Sequence, residues 1–414
     1  MSLPEIRKKI YKFKRKLINF LLPTYYKGFK KFDLIVFDDI YPHPVSGFRL
    51  EEINSYLEAF QKIKVIANPI SYPIFNTDKS LHQRHLDELL SKKHSFKKKI
   101  KTLDVLTNIN SRLFYCIFLN NIYSNMDWIE KFKIPFVFTL YPGGGFELNN
   151  AKSDSMLKMV LSSKLFQKVI VTQEMTLNYL VEKAFCRREN IEFIFGCVVP
   201  QSSIFKKVED KKYFPIGKNT LDICFCGAKY MIEGKDKGYD LFIKTAHKVA
   251  ERFDFVRFHV IGGFSEYDLN VSSINNKIKF YGYQEFGNLS AIYKEMDMIV
   301  SPNRPFLLSK GAFDGFPLGT VVEAVLNGVV ALVSDELKQN SQFENKKEIV
   351  IVETTAESIE KEIIYLIENP LAMISISNDG KKKFSDVYSN ESQVVPRVAV
   401  LETYINKNNK NAST

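Results

Sequence analysis

The sequence predicts two doubly wound α/β domains facing one another across a cleft. Three observations lead there. The chain has 414 residues, more than one ordinary hydrophobic core organises. Short apolar runs alternate with helical patterns along most of it, as in parallel sheets covered on both faces. That rhythm fails from residue 199 to 220, where Pro200, Ser202, Ser203, Pro215 and Gly217 stand among charges. A break of that composition reads as an interdomain connection.

In the first half, residues 33–37, 64–67, 115–119, 136–140 and 168–172 read as buried strands. Helical patterns fall between them, at 48–60 and 78–91 for example. In the second half the strands are 221–226, 256–261, 277–281, 298–300, 329–333 and 349–351, with helices at 239–253 and 321–326. Two more helices are predicted at 357–368 and near 393–404. The resulting division is a basic amphipathic helix in 1–30, an N-terminal domain 31–200, a linker 201–220, a C-terminal domain 221–385, and a last helix and tail 386–414.

The apolar content of 45% is enough for two cores and excludes general disorder. Five scattered cysteines, among them Cys224 and Cys226 on one strand face, fit core packing in a reducing compartment. No second cysteine pair stands at zinc spacing, and His82 and His85 lie on a polar helix without cysteines, so no metal site is expected. No long uncharged apolar run suggests a membrane span, and no signal peptide is expected. The net charge of +11 is concentrated partly around residues 92–101 and partly in 5–22. In the latter, Ile6, Ile10, Phe13, Leu17 and Leu21 recur at helical spacing among seven bases. Such a helix either lies on an anionic membrane surface or packs its stripe on the protein, and the first reading is favoured. No nucleic-acid-binding signature accompanies the charge, so no nucleic-acid partner is expected.

The most informative segment starts at a strand end, Ser301-Pro302-Asn303-Arg304. It continues through Asp314-Gly315-Phe316-Pro317-Leu318 to a helix carrying Glu323 in or near its first turn. Glycines admit a ligand close to the backbone, and free N–H groups at a helix start attract phosphate. A carboxylate beside such a loop accepts hydrogen bonds from sugar or ribose hydroxyls. An acidic residue, Gly-Phe, a short loop and then Glu-Ala on a helix resembles the retaining GT-B glycosyltransferases of the family 4 type, also called glycosyl transferases group 1. Val260-Ile261-Gly262-Gly263, residues 278–283 and residues 289–302 resemble further landmarks of that family in the same order, with Gly227, Lys237 and Gly238 at the start of the domain.

The resemblance implies a GT-B fold of two Rossmann-like domains and a nucleotide-diphosphate sugar donor as substrate, with no cofactor and no bound metal. It implies that Glu323 holds the ribose and Asp314 the sugar hydroxyls. Gly315, Phe316, Pro317 and Leu318 would run along sugar and diphosphate, and Lys237 would neutralise the leaving group. Two departures stand out. The first acid is Asp, with one more residue than usual between it and Glu323, and Ala228 replaces the usual arginine after Gly227. Lys229 or Lys235 would substitute as a point charge.

On the N-terminal side, Gly47 matches the family's glycine loop near the donor phosphates. Tyr141 stands where the family has a catalytic histidine, followed by Pro142, Gly143, Gly144 and Gly145. Tyr141, Gly143, Gly144 and His43 are the candidate acceptor-binding residues; His43 either binds acceptor or caps its loop. The expected function is transfer of a sugar, with retention, to a glycan or lipid-linked glycan acceptor in cell-surface polysaccharide biosynthesis. The expected location is cytoplasmic, on the inner face of the cell membrane. The alternative is a GT-B-fold scaffold or nucleotide-sugar-binding subunit without turnover.

Overall fold

The computed structural model describes residues 25–75, 77–104, 107–200 and 211–410. The basic segment 5–22 and the linker's first half, 201–210, lie outside the described residues.

The N-terminal sheet contains β1 (Phe32–Asp38), β2 (Ile63–Ala67), β3 (Ile100–Thr102), β4 (Ser111–Ile117), β5 (Phe136–Leu140), β6 (Phe166–Val171) and β7 (Ile191–Phe193). All pair in parallel in the order β3-β2-β1-β4-β5-β6-β7. Helices α1 (Gly47–Ala59), α2 (Leu81–Lys92), α3 (Leu119–Phe132), α4 (Ala151–Leu161) and α5 (Glu174–Glu182) connect the strands. The strands are apolar nearly throughout because both faces are covered: one face packs with Trp128, Met156 and Leu180 from the helices, the other with Ile53, Leu57 and Leu86.

The C-terminal sheet contains β8 (Leu221–Gly227), β9 (Val256–Gly262), β10 (Ile278–Phe280), β11 (Met298–Ser301), β12 (Val330–Val333) and β13 (Val350–Ile351). It is also parallel, in the order β10-β9-β8-β11-β12-β13. Its helices are α6 (Tyr239–Arg252), α7 (Phe286–Glu295), α8 (Gly319–Leu326), α9 (Ala356–Glu368) and α10 (Pro370–Val387). Cys224 and Cys226 are buried and unpaired, packed in the core beneath α8.

In both sheets the order reverses beside the first strand, between β1 and β4 and between β8 and β11. Ligands bind beyond the carboxyl ends of strands at such switch points. The loops after β1, β4, β5, β8 and β11 all contribute to the cavities between the domains.

Three sequence expectations are corrected. The strand expected to reach residue 119 stops at Ile117, and Leu119 already opens α3. Phe118 turns the chain there, and the Asn120 amide bonds the Gly144 carbonyl at 2.9 Å instead of continuing a ladder. Helix α10 was not expected. Its apolar positions are few, and it is held by burial of Met373, Ile376 and Phe384 on the C-terminal domain. The last helix, α11 (Asn390–Lys410), is longer than expected and packs on the N-terminal domain, where Leu401 and Ile405 join its core.

Candidate active site between the two domains

Lys237 ends a short 3-10 segment, Ile232–Lys237, that follows β8. The next residue, Gly238, has φ of 72°, and a Cβ there would lie 2.2 Å from the Pro302 carbonyl oxygen. Only glycine allows the two loops to meet so closely, and their contact brings Lys237 beside the segment that follows β11. The Lys237 ammonium donates to both Asp314 oxygens, at 2.7 Å and 2.6 Å. Its side chain is 8% exposed against 35% for Asp314, so the pair has a covered side and a side open to the cleft. Burial opposes the ammonium charge, but Asp314, with smaller help from Tyr230 and Asp236, outweighs it and raises the lysine pKa. Lys237 therefore stays charged.

Glu323 sits on α8 four residues after Gly319, with 9% of its surface exposed and Oε2 without a hydrogen-bond partner among the described residues. Desolvation lifts its pKa to about 8. A buried acceptor in this state is ready to take a hydroxyl donor. The Asp314–Leu318 loop runs between the domains: the Gln173 side chain of the N-terminal domain donates to the Phe316 carbonyl at 3.2 Å. The side chains of Phe316 and Pro317 point into the protein, while Gly315 and Leu318 are partly exposed. Gly227 closes β8, and a Cβ there would lie 3.7 Å from the Lys237 side chain.

A cavity of about 370 Å³ opens between the domains beside this pair. Gly143, Gly144 and Phe118 line it from one side, and Tyr230, Asp236, Lys237, Arg304 and Asp314 from the other. A second cavity of about 260 Å³ shares Phe118, Gly144 and Tyr230 and reaches into the N-terminal domain, where Asp39, Arg49, Ser71 and Asn121 supply polar groups. Arg49 bonds both Asp38 and Asp39, so this acidic pair is committed to an internal ion pair.

Other sequence candidates lie elsewhere. Tyr141 is buried, and its hydroxyl donates to Glu52 at 2.9 Å; it supports the glycine loop from beneath. His43 is buried against Tyr72, Phe75 and His85, with Nδ1 accepting from the Val45 amide at 3.2 Å. Burial, helped by His85, lowers its pKa to about 4, so the ring is neutral and caps its own loop. Gly47 is buried at the first residue of α1. Lys229 is paired with Asp268, and Lys235 with Glu233 at 2.7 Å, so neither is an uncommitted cation. Arg304 lines the cavity instead, its guanidinium held by Asp240 and by the Lys235 carbonyl. Sequence reasoning missed Arg304 and Asp236 as cavity residues. Both stand beside quoted motifs, but no local pattern marks them as convergent.

Residues 232–383 match the sequence profile of the family described as glycosyl transferases group 1. The fold is GT-B, and the match to glycosyl transferases group 1 falls within the C-terminal domain. Solved GT-B structures match nearly the whole chain at low identity. A sucrose-phosphate synthase from Thermosynechococcus elongatus is 11% identical with a TM-score of 0.62, covering 89% of this chain and 98% of its own. A glycosyltransferase from Rickettsia africae is 14% identical with a TM-score of 0.60, covering 91% and 99%. HepE of Anabaena, solved in complex with UDP and glucose, is 14% identical with a TM-score of 0.56, covering 92% and 100%. No curated protein matches the chain by sequence. Among the described residues no helix is long and apolar enough to cross a membrane.

Proposed function

We propose that this GT-B chain transfers a sugar from a nucleotide-diphosphate sugar to a glycan or lipid-linked glycan, with retention and without a bound metal. The setting would be cell-surface polysaccharide synthesis at the inner face of the cell membrane, with residues 5–22 as the membrane-facing segment. The observation that carries the reading is the buried Lys237 ammonium, held by Asp314 at the interdomain cavity inside a group 1 domain. The complex of HepE with UDP and glucose supports the choice of donor class.

In this reading the bond between the sugar's anomeric carbon and the diphosphate oxygen breaks, with oxocarbenium character developing on the sugar. Lys237 stabilises the negative charge on the departing diphosphate, as a preorganised cation does best in a partly desolvated site. The acceptor hydroxyl oxygen forms the new bond on the same face, and its proton passes to the leaving phosphate oxygen. Asp314 holds the lysine in place and meets the sugar hydroxyls, while Glu323 takes the ribose.

The test is a thermal-shift screen against UDP, GDP, dTDP, CMP and their sugars. A nucleotide at about 100 times its dissociation constant adds about 2.7 kcal/mol to stability. Stabilisation of wild type by one nucleotide, lost in Glu323→Ala, is the expected result; none with any nucleotide sinks the reading. The ion pairing of Lys229 and the burial of Tyr141 favour a second reading, a nucleotide-sugar-binding scaffold. Nucleotide binding without detectable transfer would select it.

A further inference from the structure

Two carboxylates of the interdomain cavity have no part in the transfer step above, Glu147 and Asp236, and Glu147 is committed to Ser309 and Asn150. Asp236 lines the cavity next to Lys237 and is 4% exposed. Among the described residues no side chain donates to either of its oxygens; only its own amide and that of Lys237 face the carboxylate. The other charged groups around the cavity are committed: Asp314 to Lys237, Arg304 to Asp240, and Glu147 to Ser309 and Asn150. The Asp236 backbone is pinned, since its carbonyl accepts from the Arg304 amide at 2.9 Å while the Arg304 side chain bonds the preceding Lys235 carbonyl at 2.9 Å. Burial raises the Asp236 pKa, Lys237 pulls it down, Asp314 pushes it up again, and the backbone amides of Asp236 and Lys237 offset part of the rise.

A buried carboxylate with no side-chain donor is costly, and in native proteins it has a reason. Here the reason is legible in its position. Asp236 adjoins the lysine assigned to the diphosphate, on the same wall as Asp314, so the group that reaches it is the sugar attached to that diphosphate. Two acceptor oxygens and no donor match a pair of sugar hydroxyls. A sugar carrying its own carboxylate would instead bring like charges together in a partly desolvated site.

We propose that Asp236 is a specificity-determining residue whose two oxygens accept hydrogen bonds from hydroxyls of the donor's glycosyl unit, selecting a neutral sugar over a uronic acid. The assignment rests on the nucleotide-sugar reading of the same cavity. It adds a second carboxylate beside Asp314, whose two oxygens already each accept from Lys237 and keep only part of their acceptor capacity for the sugar.

The experiment is calorimetric titration of the full chain with UDP, UDP-glucose and UDP-glucuronic acid, and with GDP, GDP-mannose and GDP-mannuronic acid. Wild type is expected to bind the neutral sugar nucleotide at least tenfold more tightly than its uronic counterpart. Asp236→Asn should reduce that preference about tenfold while binding the free nucleoside diphosphate within twofold of wild type. An unchanged preference with nucleotide affinity retained overturns the proposal. Wild type that binds no nucleoside diphosphate overturns the transferase reading itself, which is a different result. Removing an unpaired buried charge should not lower the melting temperature. If both Asp236→Asn and Asp236→Ala melt many degrees below wild type, the residue is structural and the proposal falls.

Discussion

The Arg397 guanidinium on α11 lies 3.9 Å from the Glu52 carboxylate on α1, and neither side chain is exposed. Arg397 also donates to the Gln393 side chain at 2.8 Å, to the Gly196 carbonyl at 3.2 Å and to Tyr141 at 3.4 Å. Glu52 accepts from Tyr56 at 3.0 Å, from Tyr141 at 2.9 Å and from Tyr115. The last helix of the chain is thus fastened to the N-terminal domain beneath the glycine loop of the cleft. Breaking a buried pair by removing one partner costs about 3–5 kcal/mol. Because three tyrosines still serve Glu52, Arg397→Met should lose roughly the lower figure, about 3 kcal/mol. Urea unfolding measures this, and a loss below about 1 kcal/mol would show that the network is not what attaches α11.

Replacing Lys237 with alanine removes the cation assigned to the leaving diphosphate and leaves Asp314 without its donor. Loss of one preorganised charge-stabilising donor slows turnover by about 10²–10³. Steady-state kinetics with the donor found by the screen should show this fall mainly in kcat. Turnover close to wild type would remove Lys237 from the mechanism.

Glu323 gives a pH dependence whose sign can be worked out. Its folded pKa of about 8 lies above the ordinary glutamate value of 4.5. Below pH 4.5 the group is protonated in both states and contributes nothing; between there and about pH 8 the folded state holds a proton that the unfolded state releases. Stability of the unliganded protein therefore falls as pH rises through that window, relative to Glu323→Gln. Ribose hydroxyls donate to the ionised carboxylate, so nucleotide binding should release protons and strengthen from pH 6 to pH 8. Calorimetry in buffers of different ionisation enthalpy detects the released proton. Binding that takes up protons, or shows none in wild type, contradicts the ribose contact.

Deleting residues 1–22 should abolish sedimentation with vesicles rich in anionic lipid, and raising salt should weaken binding of the full chain. Each Lys or Arg near such a surface contributes about 1 kcal/mol, screened within a Debye length. Unchanged partition after the deletion would assign this stretch to some other contact.

Much of the fold was legible because each central strand is buried on both faces and so reads as a continuous apolar run. Residues 136–140 show this most clearly, every one of them buried in β5. Asp314 and Glu323 were marked by a Gly-Phe after the acid and by a helix start, and Lys237 through its resemblance to a family landmark. Helix α10 escaped because Ser375, Ser377, Asn378, Asp379 and three lysines dilute its apolar positions. Its close seating depends on Gly380, where a Cβ would lie 2.5 Å from the Glu348 carbonyl, and no local pattern reports such a neighbour.

By itself the sequence determined two parallel sheets, their order along the chain and the loop that carries the acids. Only the tertiary structure decided that Lys237 meets Asp314, that Tyr141 and His43 turn inward, that Lys229 is already paired, and that Asp236 has no side-chain donor among the described residues. The physical reason is that hydrophobic periodicity is a local property of the chain. Whether a polar group is satisfied depends on partners brought from distant segments, and on how much water the fold leaves around them.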